Sequence, residues 1–213
     1  MSKVLIVMFS AFFILTGCEQ EHPKEIGYGS IENSSYRNDY FNMSINVPDN
    51  WVVQGEAAQK ALMDSGTDLI AGEDKTLKGV LKESQKQTVN LFSFFKYEQG
   101  APVEFNPSII AVAERVSNFP GIKRGSDYHF HSKKLLQSGQ MKYEFSREIY
   151  TKDISGVSFD TMPMQISING ITVYQEYNAT KINDYMLVII LTYSSESELN
   201  ELTSYLSTLS LTE

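Results

Sequence analysis

Asn169-Gly170 lies between two runs in which apolar residues alternate, with Ile166 and Ile168 before it and Ile171 and Val173 after it. A two-residue type I′ turn needs positive φ at both central positions, and Asn and Gly adopt it at least cost. The pair therefore predicts a tight antiparallel hairpin. Period-two patterning continues on both sides of it. Met141, Tyr143, Phe145, Arg147 and Ile149 alternate with Lys142, Glu144, Ser146 and Glu148, which predicts a strand. Residues 157–168 predict another, interrupted at Pro163. Proline donates no ladder bond, so that strand has an edge or a bulge there. Residues 185–193 are the most apolar of the expected strands, too short to span a bilayer and suited to a central buried position.

The first half mixes periods. Phe41, Met43, Ile45 and Val47 alternate with polar residues until Pro48-Asp49-Asn50 ends the strand ahead of Trp51. Ala57, Ala58, Ala61 and Leu62 recur at helical spacing, with Gly66 as the expected stop. Leu77, Val80 and Leu81 mark a second helix, with Glu73 and Asp74 where its dipole favours acid. Residues 89–97 and 108–116 predict strands. Ser126-Asp127 opens a helix to about Ser138, with Ser126 as its cap and Gly139 as its stop. Ser195 and Glu198 have the spacing of a capping box, and Leu199, Leu202, Leu206 and Leu209 line one face beyond it. Strands joined by hairpins, with helices among them, predict the α+β class: a central antiparallel sheet flanked by helices.

The N-terminus has a different grammar. Lys3 precedes an apolar run over residues 4–15, broken only by Ser10, and Leu15-Thr16-Gly17-Cys18 follows. Charge, short apolar run and small residues before a cysteine, in that order, resemble a bacterial lipoprotein signal with its lipobox. The resemblance implies cleavage between Gly17 and Cys18, diacylglycerol on the Cys18 thiol, and often an added N-acyl chain. Stable anchoring takes about two lipid signals, which such a residue carries. The expected organisation is a signal peptide over residues 1–17, the lipidated cysteine with a Gly/Ser-bearing flexible tether over 18–36, and one domain over 37–213. The expected place is the extracytoplasmic face of the cell membrane, or an outer membrane where there is one. Cys18 is the only cysteine, so neither a disulfide nor a thiolate metal cluster is expected. Without residues 1–17 the chain has 17 basic and 26 acidic residues, a formal charge of −9. That opposes a nucleic-acid partner and broad binding to anionic lipid.

Tyr40-Phe41-Asn42-Met43-Ser44-Ile45-Asn46-Val47-Pro48-Asp49-Asn50-Trp51 is similar to the aromatic strand, proline and tryptophan of the PsbP-like family. Asn106-Pro107-Ser108-Ile109, Asp127-Tyr128, and Tyr174-Gln175-Glu176-Tyr177 followed by Tyr185 occur in the family's order. This resemblance, over about residues 36–211, implies an α/β/α sandwich and a docking or assembly role, with no shared catalytic motif.

Few residues suggest chemistry. His129 and His131 share a face only on a strand; on the expected helix His131 leans inward, His129 is exposed, and neither pairs to hold a metal. No Gly-x-Ser-x-Gly motif and no Gly-rich phosphate loop occur, and Glu144, Glu148 and Glu176 fall at polar strand positions. A non-enzymatic module without metal or cofactor, binding a protein or envelope component, is therefore expected. A carrier of a small apolar ligand is the alternative, and a hydrolase comes third. Trp51 suits either core packing or an aromatic anchor. Tyr174, Tyr177 and Tyr185 suit either a half-buried sheet face or a shallow groove. Residues 99–107 and 118–125 are polar, Pro/Gly-bearing connections, the kind of loop that carries function on a rigid scaffold.

Overall fold

A computed structural model describes residues 26–212. The signal, Cys18 and the first part of the expected tether lie outside the described residues. In chain order the elements are β1 (Ser30–Glu32), β2 (Ser35–Asn38), β3 (Met43–Asn46), β4 (Val52–Val53), α1 (Glu56–Ala71), α2 (Lys75–Lys86), β5 (Thr88–Phe95) and β6 (Ser108–Arg115). They continue with α3 (Gly125–Ser138), β7 (Tyr150–Ile154), β8 (Val157–Ile168), β9 (Ile171–Ile182), β10 (Tyr185–Tyr193), α4 (Glu196–Leu206) and β11 (Ser210–Leu211).

Seven strands form one antiparallel sheet in the order β4-β5-β6-β10-β9-β8-β7. β10 is its middle strand, as its unbroken apolar run predicts. Leu187, Ile189 and Leu191 enter one core and Met186 and Val188 another, on the opposite face of the sheet. Asn169 and Gly170 have φ of 52° and 85°, and Ile168 pairs with Ile171 across them, so the hairpin turn is as predicted. Pro163 lies beyond the last β7 pair, Tyr150 with Thr161, where the outer edge of β8 needs no proline N–H. A bulge between Asn90 and Phe92 turns the adjacent Leu91 and Phe92 into the same core.

Helix α3 covers β8 and β9 on one face, and its Leu136 packs with Ile70 of α1. Glu114 ties this layer together by accepting from Ser84 Oγ of α2 at 2.8 Å and from the Tyr128 hydroxyl of α3 at 2.6 Å. Burial and the Glu114 charge raise the Tyr128 pKa well above the ordinary value. On the other face, α4 and a second sheet, β1-β2-β3-β11, close over Phe92, Phe94 and Ile189. Ser195 caps α4, and the reciprocal bond from Glu198 completes the capping box.

Several expectations need correcting. Gly66 does not end α1, which runs one more turn to Gly72, whose φ of 55° suits glycine. Helical order past Gly66 brings Ile70 and Ala71 to the core at the modest cost of one interior glycine. Residues 141–146 keep alternating burial, residues 146–148 are all exposed, and the segment forms a single bridge, Glu144 with Gln165, instead of a ladder. Ser126 is not the cap of α3: its backbone N–H donates to Asp160 Oδ2 at 2.6 Å, while Asp127 takes the amides of Lys123 and Arg124. The tether expected to residue 36 gives way earlier to the β1–β2 hairpin, in which Tyr36 is fully packed. The second sheet was not anticipated.

Candidate functional site

The strands end in two sets of loops. At one end lie the β6–α3 connection, the β7–β8 turn and the β9–β10 turn; at the other lie the 96–107 loop, the Asn169-Gly170 turn and the start of α4. The second end carries an open cleft of about 410 Å³, lined among others by Arg147, Gln165, Tyr174, Glu176, Tyr193 and Ser195.

Its floor is a carboxylate. Glu176 is 7% exposed, and Lys152 of β7 donates to its Oε2 at 2.7 Å. Directly below, Asn178 Oδ1 accepts from Thr161 Oγ1, and Asn178 Nδ2 donates to the Ile189 carbonyl. Its wall is aromatic. Tyr174 and Tyr193 pair across β9 and β10, and their rings stack with centroids 5.5 Å apart. Burial first, then the Glu176 charge, pushes the Tyr193 pKa up to about 12, so its hydroxyl stays a donor at any physiological pH. Arg147, exposed at the rim, rests its guanidinium 5.2 Å from the Tyr150 ring. Gln175 Oε1 is a buried acceptor with no partner. A packed aromatic pair, a guanidinium and a paired carboxylate make a surface chemically able to stack and to hydrogen-bond.

Of the residues singled out from sequence, Tyr174 is in this cleft, 36% exposed. Tyr177 is not: three positions along the strand it faces the α3 side, where burial holds its pKa far above the ordinary value. Tyr185 sits at the far end of β10, edge-on to Tyr40 and Phe41. The three tyrosines therefore form no common groove. Trp51 is half-buried and edge-on to Tyr205 of α4, and it is not among the residues lining the cleft. Residues 99–107 belong to the cleft end and 118–125 to the opposite one. The sequence puts Glu176 at a polar strand position, and Arg147 in the apolar column of residues 141–149. Arg147 carries one local signal, a charge interrupting that apolar column, and Glu176 carries none.

The histidines are reversed from expectation. His129 is 0% exposed and His131 is exposed, because the stripe Gly125, His129, Leu136 faces the sheet. His129 Nε2 lies 2.9 Å from the Asp160 carbonyl, which only accepts, so Nε2 carries the proton. Burial lowers the His129 pKa and keeps the ring neutral. Ser126 Oγ and His129 Nδ1 are both buried without a partner, so no bond links them as nucleophile and base. Among the described residues no three His, Cys, Asp or Glu side chains group as metal ligands, and no helix is long and apolar enough to cross a membrane.

Neither a family model nor a curated protein matches the sequence. Among solved structures, the solution structure of cyanobacterial PsbP from Synechocystis sp. PCC 6803 aligns at 10% identity and a TM-score of 0.51, over 86% of this chain and 96% of its own. LpqN, described as involved in cell envelope biogenesis of Mycobacterium tuberculosis, aligns at 16% identity and a TM-score of 0.40, over 81% of this chain and 84% of its own. A Bacteroides thetaiotaomicron protein aligns at 12% identity and a TM-score of 0.42, over 80% of this chain. The chain spans only 45% of that longer protein. The likeness to cyanobacterial PsbP shows the fold, an α+β sandwich of the PsbP-like kind.

Proposed function

We propose that this protein is a lipid-anchored, non-enzymatic binding module on the extracytoplasmic face of a membrane, and that a protein or envelope component seats in the Tyr174–Tyr193 cleft. The observation that carries the reading is the cleft itself. Stacked rings, an exposed guanidinium and a buried but paired carboxylate converge there, without a nucleophile–base pair among them. The lipobox-like Leu15-Thr16-Gly17-Cys18 supports the anchor. A carrier of a small apolar ligand finds no such support. The space between the layers is filled by Phe92, Phe94, Phe159, Leu187 and Ile189, all at most 1% exposed.

Co-isolation from chemically crosslinked envelopes tests both parts. Cys18→Ala is expected to lose incorporated fatty acid and to accumulate as unprocessed precursor. Arg147→Glu with Tyr174→Ala is expected to keep the anchor and lose the partner. Undiminished fatty-acid label in the first variant refutes Cys18 as the anchor, and an unchanged partner in the second refutes the cleft.

A further inference from the structure

The end of the sheet opposite the cleft has its own chemistry. Between Arg115 and Arg124 the chain carries three basic residues and no acid, although the whole protein has a formal charge of −8. In the middle of this segment Phe119 is 53% exposed, followed by Pro120 and Gly121. An exposed phenylalanine in a surface loop gains nothing from the core it has left. The loop is nevertheless held firmly. Phe119 N donates to the Val116 carbonyl, Ile122 N to the Phe119 carbonyl, and Lys181 Nζ to the Ile122 carbonyl. Buried Ile122 plugs the loop into the core beneath α3, which leaves Phe119 presented outward on a rigid base.

The described chain begins at this same end. Gly27 accepts from Asn38 Nδ2, Asn38 Oδ1 accepts from Tyr40 N, and Tyr40 is edge-on to Tyr185 at the start of β10. Next to Tyr185, the Asp184 carbonyl accepts from Val116 N, at the root of the Phe119 loop. Tyr28 lines a surface cleft with Lys86 and Thr88, and Thr88 pairs with Glu114 beside Arg115. From Ile26 back to Cys18 is a short stretch, at most about 28 Å when fully extended. If Cys18 is held in a bilayer, this end of the domain is held beside it.

We infer that the 115–124 loop is a second membrane contact: Phe119 enters the interfacial layer of an anionic bilayer, with Arg115, Lys123 and Arg124 against lipid phosphates. This rests on the anchoring reading above. The contact is too small to bind alone, but the anchor supplies a high effective concentration and the loop then fixes the orientation. The Tyr174–Tyr193 cleft, at the other end of the sheet, is thereby turned away from the membrane.

The test uses the full lipidated protein in vesicles. There the Cys18 thiol is blocked, so Asn118→Cys introduces the only free thiol for an environment-sensitive fluorophore, and Ile168→Cys does the same beside the Asn169-Gly170 turn. In vesicles with about a third phosphatidylglycerol, the probe at 118 is expected to shift blue and be quenched by lipid-borne quenchers, with the probe at 168 unchanged. Phe119→Ser or Lys123→Glu in the Asn118→Cys background is expected to remove at least half of the shift. Protein that floats with vesicles while the 118 probe stays solvent-like, or matches the 168 probe, overturns this contact and leaves the anchor standing. Protein that does not float overturns both.

Discussion

Gly125→Ala is expected to destabilise the domain by about 3 kcal/mol, the upper end of what overpacking typically costs, and to lower Tm by about 6–12 °C. Gly125 opens α3 where the helix meets the sheet. An added Cβ would overlap the Ala179 carbonyl oxygen of β9 and come within 2.9 Å of Asp160 Cβ. Neither can yield cheaply. Ala179 is in the ladder with Val188 and Asp160, and Asp160 is the fixed point of the α3 start. Its carboxylate accepts from Ser126 N and Thr151 Oγ1, and its carbonyl meets His129. Burial works against that charge, but these hydrogen bonds prevail and the Asp160 pKa is lowered. Gly121→Ala is the matched control: its Cβ meets nothing within 4 Å, and a change of less than about 0.5 kcal/mol is expected. Thermal or urea unfolding of the two variants decides this. Equal stabilities would mean that α3 is not seated on the sheet in this way.

Lys152→Met is the second large effect, expected to cost about 2–3 kcal/mol. Breaking a buried ion pair costs about 3–5 kcal/mol because it leaves one charge without its partner. The lower figure applies here because the Lys152 side chain is 28% exposed, against 9% for Glu176. Lys152→Met with Glu176→Met removes both charges and is expected to recover most of the loss. A double variant as unstable as the single one would show that packing of the two stems, and not the orphaned carboxylate, accounts for the cost. The single variant also speaks to binding, since it leaves the floor of the cleft with an uncompensated negative charge. A partner that presents a cation there is expected to gain affinity, and one that presents an anion to lose it.

Much of the fold could be read from the sequence where local signals agreed. Asn169-Gly170 fixed a hairpin and its register, the continuous apolar run of β10 marked the middle of the sheet, and Ser195 with Glu198 marked the start of α4. Reading failed where distant partners decide. Residues 141–149 alternate as a strand does, but a ladder needs a neighbour over its whole length, and β8 offers only Gln165 to Glu144. The small sheet closes by pairing Ser210 with Ser44, two residues far apart in sequence whose short strands carry no signal of each other. On α3, Leu135 and Leu136 compete to define the inner face. Gly125 settles it, because only a side chain of no size fits against Ala179, and that choice carries His129 inward.

The cleft was half legible. Tyr174 was a candidate, but tyrosines three apart on a strand face opposite ways, so Tyr177 was never able to join it. Arg147 comes from an irregular segment, Glu176 from β9 and Ser195 from the start of α4. Their convergence is a property of the tertiary fold and has no local spacing to betray it.

The central claim is that the Tyr174–Tyr193 cleft is where this protein meets its partner. The most direct measurement replaces Tyr174 with a benzophenone-bearing residue in the full lipidated protein, in cells of the native host. A second protein carries the same group at Val80, which is 51% exposed on α2. After irradiation, a single dominant adduct is expected from position 174, none from position 80, and loss of the 174 adduct when Arg147→Glu is added. Adducts of equal yield at 174 and 80, or an adduct at 174 that survives Arg147→Glu unchanged, would contradict the account.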